Sequence, residues 1–127
     1  MNPVEHIFAR IKVLAGRLFI RSQMQKRVRT GVRFLNSVKP GWWEKIDLEH
    51  LDMLHTRSCL CGQLYGRYKN AKRVLHMSPA DAVTYGFVPA RSDYPETEWL
   101  PQKVLTHLWR KEIKKLKAKS LKAGATE

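Results

Sequence analysis

The chain has 127 residues with 24 Lys or Arg against 11 Asp or Glu, which gives a formal net charge of +13. A chain of this length fits one domain, and its 43% hydrophobic content argues against wholesale disorder. No apolar run approaches the roughly 20 residues that span a bilayer, and the N-terminus lacks the uninterrupted apolar centre of a secretory signal. We therefore expect an intracellular protein without a membrane span.

The positive charge is concentrated at the two ends of the chain. Residues 1–39 carry nine Lys or Arg and one acid, and residues 101–127 carry eight and two. Residues 40–100 carry seven basic and eight acidic side chains and are nearly neutral. Since a basic face raises the local concentration of polyanions, this distribution predicts a polyanionic binding partner.

The first forty residues predict one or two helices. Apolar residues recur there at three- and four-residue steps and indicate a helix over about residues 3–21. A second stripe, Val28, Val32 and Leu35, ends before Lys39-Pro40-Gly41 and belongs either to a separate helix or to a continuation of the first. The first stripe consists of Val4, Ile7, Ile11, Leu14 and Leu18.

The middle of the chain predicts short helical turns followed by a longer helix. Asp47 is placed to cap the turns around residues 41–51, and Ser58 is placed to cap a helix over 58–76. Gly62 and Gly66 would each weaken that helix, so we expect close packing against a neighbour to compensate. The apolar stripe of the longer helix is Leu60, Leu64, Tyr68, Ala71 and Leu75.

The last third predicts two further helices. Ser78, Pro79 and Gly86 are typical of the N-cap, the first turn and the stop of a short helix over 79–85. Prolines make residues 88–99 a loop, and the last helix begins near Pro101. Its core-facing residues are expected to be Leu105, Leu108, Trp109, Ile113 and Leu116.

No segment alternates with the period of a strand, so we predict an all-α single small helical domain with a basic N-terminal helix and a basic C-terminal helix or tail. The regions are a basic amphipathic part at 1–39, a compact helical core at 40–116 and a basic polar tail at 117–127. The helices near 58–76 and 101–116 are expected to pack together. Residues predicted to be buried between them are Leu64, Leu75, Leu105, Trp109 and Ile113.

A distinctive pattern runs through residues 31–113. It reads Gly41-Trp42-x-x-x-Ile46-Asp47-Leu48-x-x-Leu51-Asp52, Cys59-Leu60-x-Gly62-Gln63-Leu64-Tyr65-Gly66-x-Tyr68, Ala82-x-x-x-Gly86-Phe87 and Leu105-Thr106-x-x-Trp109-x-x-x-Ile113. In these motifs the chain resembles a family of small phage and prophage proteins with no established activity, although Cys61 stands where that family usually has an aliphatic residue. The resemblance implies a phage setting and carries over no catalytic residue.

Two cysteines and two histidines suggest alternative chemistry. His50, His55, Cys59 and Cys61 could be ligands of zinc, but Cys-x-Cys lacks the usual two-residue spacer and no second ligand pair follows. Cys59 with His55 as its base could be a nucleophile, but no third residue is evident to orient the base. We favour reduced, buried cysteines and surface histidines, with no metal, no cofactor and no catalytic residue.

The basic residues supply candidate phosphate contacts, and three aromatic residues near them are candidates for base stacking. For the tyrosines we favour core packing over stacking, and we expect Trp42 in the core with Trp43 nearer the surface. The candidate phosphate-contacting residues are Arg10, Arg17, Arg21, Lys26, Arg27, Arg29, Arg33, Arg67, Lys72, Arg73, Lys111, Lys114, Lys115, Lys117 and Lys119. The candidate stacking residues are Trp43, Tyr65 and Tyr68.

We therefore expect a non-enzymatic, phage-type accessory protein that binds DNA, RNA or a nucleoprotein complex without strong sequence readout. One alternative is an anti-CRISPR-like inhibitor that meets a host-defence protein, and another is a virion or assembly component that touches packaged nucleic acid. A further alternative is an amphipathic N-terminal helix on an anionic membrane, for which Phe8 and Phe19 are the only aromatic anchors. The expected location is the bacterial cytoplasm or the virion.

Overall fold

The computed structural model of the protein describes residues 2–94 and 99–125. Within these residues every regular element is helical and no strand is present, so the predicted all-α single small domain is confirmed. Residues 95–98 of the predicted loop and 126–127 of the predicted tail lie outside the described residues. The elements are α1 (Pro3–Val38), a 3-10 turn (Trp42–Lys45), α2 (Leu60–Tyr65), α3 (Tyr68–Val74), α4 (Pro79–Thr84), a second 3-10 turn (Arg91–Asp93) and α5 (Pro101–Ala125).

The basic N-terminal region is one continuous helix of 36 residues. A capping box starts it, in which the backbone N–H of Glu5 donates to Asn2 Oδ1 at 2.8 Å and Asn2 N–H donates to Glu5 Oε2 at 3.2 Å. No proline interrupts residues 4–39, and the helix stops before Pro40 and Gly41, whose φ of +76° is left-handed. The second stripe is thus a continuation of the first helix.

The two halves of α1 have different surroundings. In the C-terminal half Ile20, Met24, Val28, Gly31 and Leu35 are buried against the rest of the domain. Residues 2–15 are exposed on every side, so the start of α1 extends beyond the packed body. At about 100° per residue, the exposed apolar stripe of the first half lies roughly 120° around the helix from the buried stripe of the second.

Trp109 of α5 lies at the centre of the core and is fully buried. Its ring meets Trp42 edge to face at a centroid distance of 5.9 Å and stacks on Phe87 at 5.8 Å. Its Nε1–H donates to the carbonyl oxygen of Gly86 at 2.7 Å, which satisfies the one polar atom of the side chain. Trp42 is also fully buried, as expected, whereas Trp43 is half-buried and packs on the edge of the core.

The predicted helix over 58–76 is wrong in three respects. Its cap is Cys59, whose Sγ accepts the N–H of Gly62 at 3.3 Å, and not Ser58. It breaks at Gly66, whose φ of +88° ends α2 before α3 begins. Because of this break the apolar stripe does not continue on one side, and Leu64 and Leu75 are only half-buried at the core edge.

α5 packs mainly against α1 and the Trp42–Lys45 turn, so the 58–76 region shares its core with α5 but is not, as the prediction had expected, its main partner. Leu105, Trp109 and Ile113 are nevertheless fully buried, as predicted. The helix continues to Ala125 through most of the segment that was expected to be a tail.

Three local predictions are confirmed in part or in full. α4 follows the Ser78 N-cap, which forms a capping box with Asp81, and Gly86 has the left-handed φ of a helix stop, +69°. Gly62 is closely packed, since a Cβ there would stand 2.3 Å from the carbonyl oxygen of Thr56, although its neighbour is a loop. Asp47 caps the N–H groups of Glu49 and His50, but in a turn and not in a helix.

Candidate nucleic-acid interface

Three basic residues form an exposed row on α1. Lys26, Arg29 and Arg33 follow at steps of three and four, which places them on one side of the helix, about 170° from the buried stripe. Arg33 also donates to Thr30 Oγ1 at 3.4 Å, a contact that leaves the row facing outwards. We call Lys26, Arg29 and Arg33 the outer basic row. No acidic residue follows Glu5 in the sequence until Glu44, so α1 itself supplies no counter-charge to this row.

Arg27 was predicted to contact phosphates, and its surroundings in the fold correct that prediction. Its Nη2 donates to both carboxylate oxygens of Asp93 at 2.7 and 2.8 Å, and its side chain is only 17% exposed. Asp93 is itself buried and accepts the N–H of Ala90 at 2.7 Å. The charge of Arg27 therefore neutralises a buried carboxylate and joins α1 to the second 3-10 turn.

The remaining arginines of α1 lie apart from the outer basic row. Arg10 and Arg21 are exposed, but they lie on another side of the helix, about 120° away at 100° per residue. Arg17 is half-buried, with its guanidinium carbon 5.4 Å from the ring centroid of Trp99, a cation–π contact. Arg17 thus contacts Trp99, two residues before the start of α5, a contact that no pattern in the sequence predicts.

α5 carries a second set of cations. Lys111, Lys114, Lys115 and Lys119 are exposed. Lys117 is half-buried, and its Nζ donates to the carbonyl oxygen of Ile46 at 3.1 Å, so this lysine anchors α5 to the loop after the first 3-10 turn. Its predicted role as a free phosphate contact is corrected accordingly.

One hydrogen bond joins α1 to α5 near a cation of each helix. Gln25 Nε2 donates to Glu112 Oε1 at 3.2 Å, which joins α1 to α5. Arg29 lies one turn beyond Gln25 on α1, and Lys115, whose Nζ is 3.6 Å from Glu112 Oε1, lies one turn beyond Glu112 on α5. Each helix therefore carries a cation within about one turn of this contact, although Arg29 and Lys115 are 86 residues apart in sequence.

The aromatic candidates are partly covered by cations of the protein itself. Lys39 Nζ lies 5.1 Å from the ring centroid of Tyr65, and Lys72 Nζ lies 5.8 Å from that of Tyr68. Both tyrosines and Trp43 are half-buried and pack against the core, as the favoured interpretation expects for the tyrosines. Burial raises the pKa of both tyrosine hydroxyls.

Arg67 and Arg73 form a smaller basic patch at the start and on the surface of α3. They line a shallow depression of about 360 Å³ together with Lys69 and Asn70. Both arginines are exposed, and Arg73 Nη2 donates to Asn70 Oδ1 at 2.7 Å. This patch lies on a different element from the outer basic row and offers a separate position for an anion.

The cysteines are buried and reduced, with Cys59 capping α2 through its sulfur. Burial raises the pKa of both thiols, which disfavours the thiolate that a nucleophile or a zinc ligand requires. His50 Nδ1 instead lies 2.6 Å from Asp47 Oδ2, and this carboxylate raises the pKa of His50. Among residues 2–94 and 99–125 no three His, Cys, Asp or Glu side chains are grouped as metal ligands.

A polar depression of about 420 Å³ lies between the 49–58 loop and α5, and sequence reasoning missed it. His50, Asp52 and His55 line one wall, and Lys103 and Arg110 line the other. The guanidinium of Arg110 already holds the loop in place, since its Nη2 donates to the carbonyl oxygens of Leu48 and Leu51 at 3.1 Å. No sequence motif marks this depression, because its walls come from segments about fifty residues apart.

Comparison with protein-family models, curated proteins and solved structures finds no match to this chain. None of the described helices is long and apolar enough to cross a membrane.

Proposed function

We propose that the protein binds nucleic acid, or a nucleoprotein complex, through the outer basic row of α1 and the exposed lysines of α5. The observation that carries the proposal is the exposed row of Lys26, Arg29 and Arg33 on a rigid helix with no acid after Glu5. Such a row neutralises phosphates and releases condensed counterions, which supplies affinity without base readout.

The packed body supports this assignment by holding the row in place. Met24, Val28 and Leu35 are fully buried on the opposite side of the same turns, so the backbone under the row is fixed. Lys26 and Arg33 are separated by about 10 Å along the axis at 1.5 Å per residue. The cations are therefore arranged before binding, and only their side chains must be ordered.

The wider role that we propose is that of a non-enzymatic, phage-type accessory protein, which rests on the resemblance of residues 31–113 described above. A nucleoprotein target includes the anti-CRISPR-like case, in which a host-defence complex is the partner. It also includes a virion or assembly component in contact with packaged nucleic acid. Neighbouring structural genes favour the virion role, and neighbouring counter-defence genes favour inhibition.

The test compares two variants that lose the same charge at different places. The row variant is Lys26→Gln, Arg29→Gln and Arg33→Gln, and the control is Arg10→Gln, Lys12→Gln and Arg21→Gln. Binding of labelled random DNA and RNA is measured by fluorescence anisotropy at several salt concentrations. The row variant is expected to bind more weakly and to reduce the salt slope on duplex DNA by about 2 to 3, while the control changes it less.

All six positions are exposed, so both variants should keep the wild-type circular dichroism spectrum and unfolding midpoint. An equal loss in the two variants would show that net charge, and not the row, determines affinity. Absence of binding by the wild type at low salt would overturn the proposal and direct attention to a protein partner.

A further inference from the structure

The N-terminal half of α1 presents a wide apolar surface to solvent. Seven large apolar side chains of this half are each 54–67% exposed. At about 100° per residue they cover an arc of roughly 140° around the helix. We call this surface the apolar arc, and its members are Val4, Ile7, Phe8, Ile11, Leu14, Leu18 and Phe19.

An exposed apolar surface of this size indicates that a binding partner or a membrane covers it. A helical segment of about 16 residues is marginal in water unless an apolar face is packed, because nucleation is costly and each residue adds little. Contiguous apolar patches on soluble proteins typically mark surfaces for partners or membranes. Residues 2–15 receive no such cover from the protein's own body, since all of them are exposed.

Charge borders the apolar arc on both sides. Arg10 and Arg21 lie just beyond Leu14 on one border, and Lys12 lies just beyond Phe19 on the other, at about 20–40° from the nearest apolar member. All three basic residues are exposed. Glu5 is the one acidic residue in 3–21 and is held in the N-terminal capping box. The occupant must therefore be apolar in its interior and negative at its edges.

A second copy of the chain fits this surface poorly. The three- and four-residue seam of a helix pair would cover Val4, Ile7, Ile11, Leu14 and Leu18. Phe8 and Phe19 lie outside that seam and would stay exposed. Each copy would also bring the same bordering arginines and a single acid, Glu5, which is held in its own capping box, so the two segments would repel each other.

We propose that the N-terminal half of α1 binds the surface of an anionic lipid membrane. The helix lies in the plane of the interface, with the apolar arc among the acyl chains and Arg10, Lys12 and Arg21 at the lipid phosphates. A broad apolar arc bordered by basic residues is the arrangement that such interfacial helices use. The proposal stands on residues 3–21 and does not depend on nucleic-acid binding.

The experiment is flotation of the full-length protein with vesicles of phosphatidylcholine, with and without phosphatidylglycerol. Ile11→Ala with Leu18→Ala removes apolar surface from the arc. Val13→Ala is the matched control, because Val13 is 41% exposed on the same segment but on the opposite side of the helix. Alanine has the highest helix propensity, so neither variant should melt the segment.

The wild type and the Val13 variant are expected to float with anionic vesicles and to bind neutral ones at least about tenfold more weakly. The double variant should lose at least about tenfold in affinity for the anionic vesicles. It should bind nucleic acid as the wild type does, so failure of one proposal is distinguishable from failure of the other.

Two results would overturn the membrane proposal. The first is absence of flotation with anionic vesicles, or flotation that the double variant leaves unchanged. The second is a wild-type dimer, seen by analytical ultracentrifugation, that the double variant dissociates and that does not float with vesicles. The second result would assign the apolar arc to another copy of the chain.

Discussion

Gly31 of α1 lies directly against the indole ring of Trp109 on α5. A Cβ atom at position 31 would stand 2.8 Å from Cη2 of that ring and 2.0 Å from the carbonyl oxygen of Tyr85. Glycine is therefore required here by the close approach of three segments, and not by its backbone angles. This contact lets the buried side of α1 reach the central tryptophan of the core.

We predict that Gly31→Ala destabilises the protein by about 3 kcal/mol or prevents folding, because backbone must move to admit a methyl group. Gly16 lies in the same helix, and a Cβ atom there would meet nothing within 4 Å, so Gly16→Ala should stabilise by up to about 1 kcal/mol through helix propensity. Urea unfolding of both variants measures these changes. Equal stabilities of the two variants would contradict the close contact at Gly31.

We predict that Arg27→Gln destabilises the protein by about 3 kcal/mol, because it leaves the buried carboxylate of Asp93 without a counter-charge. Arg29→Gln removes the same charge from an exposed position two residues away and should change stability by less than about 0.5 kcal/mol. Chemical denaturation compares the two. An unchanged free energy of unfolding in Arg27→Gln would mean that the ion pair contributes nothing to stability.

We predict that Cys59 and Cys61 resist thiol reagents in the folded protein at mildly alkaline pH, because burial raises the pKa of both thiols and blocks access. Labelling should be at least about a thousandfold slower than in denaturant, since it requires opening of the fold. An Arg57→Cys variant, exposed in the preceding turn, supplies a fast-reacting control. Rapid modification of Cys59 in the folded wild type would revive the nucleophile hypothesis.

Local signals in the sequence predicted the parts of the fold that depend on neighbouring residues. The start and stop of α4 follow from Ser78, Pro79 and Gly86, whose preferences act within one or two turns. The burial of Trp109 follows from the apolar stripe of α5. The fold class followed from the same helical periodicity and from the absence of the alternating apolar and polar residues that are typical of strands.

What the sequence did not predict depends on contacts between distant segments. Arg27 carries the same charge as Arg29, and only its place beside Val28 on the buried side of α1, with Asp93 opposite, makes it a core ion pair. Lys117 likewise binds a carbonyl oxygen far away in sequence. The spacing of the glycines does not tell whether Gly66 packs closely inside a helix or ends the helix with a left-handed backbone, so the break there was not predicted.

Because α1 is one continuous helix, the surfaces of its two halves keep fixed positions around the helix axis. The apolar arc and the outer basic row lie within about 30° of each other around the axis, and the body lies on the far side. An uninterrupted helix cannot swivel between its halves without breaking hydrogen bonds. A membrane that covers the arc would therefore also lie over Lys26, Arg29 and Arg33, so lipid and nucleic acid would compete for one protein molecule and could not occupy it together.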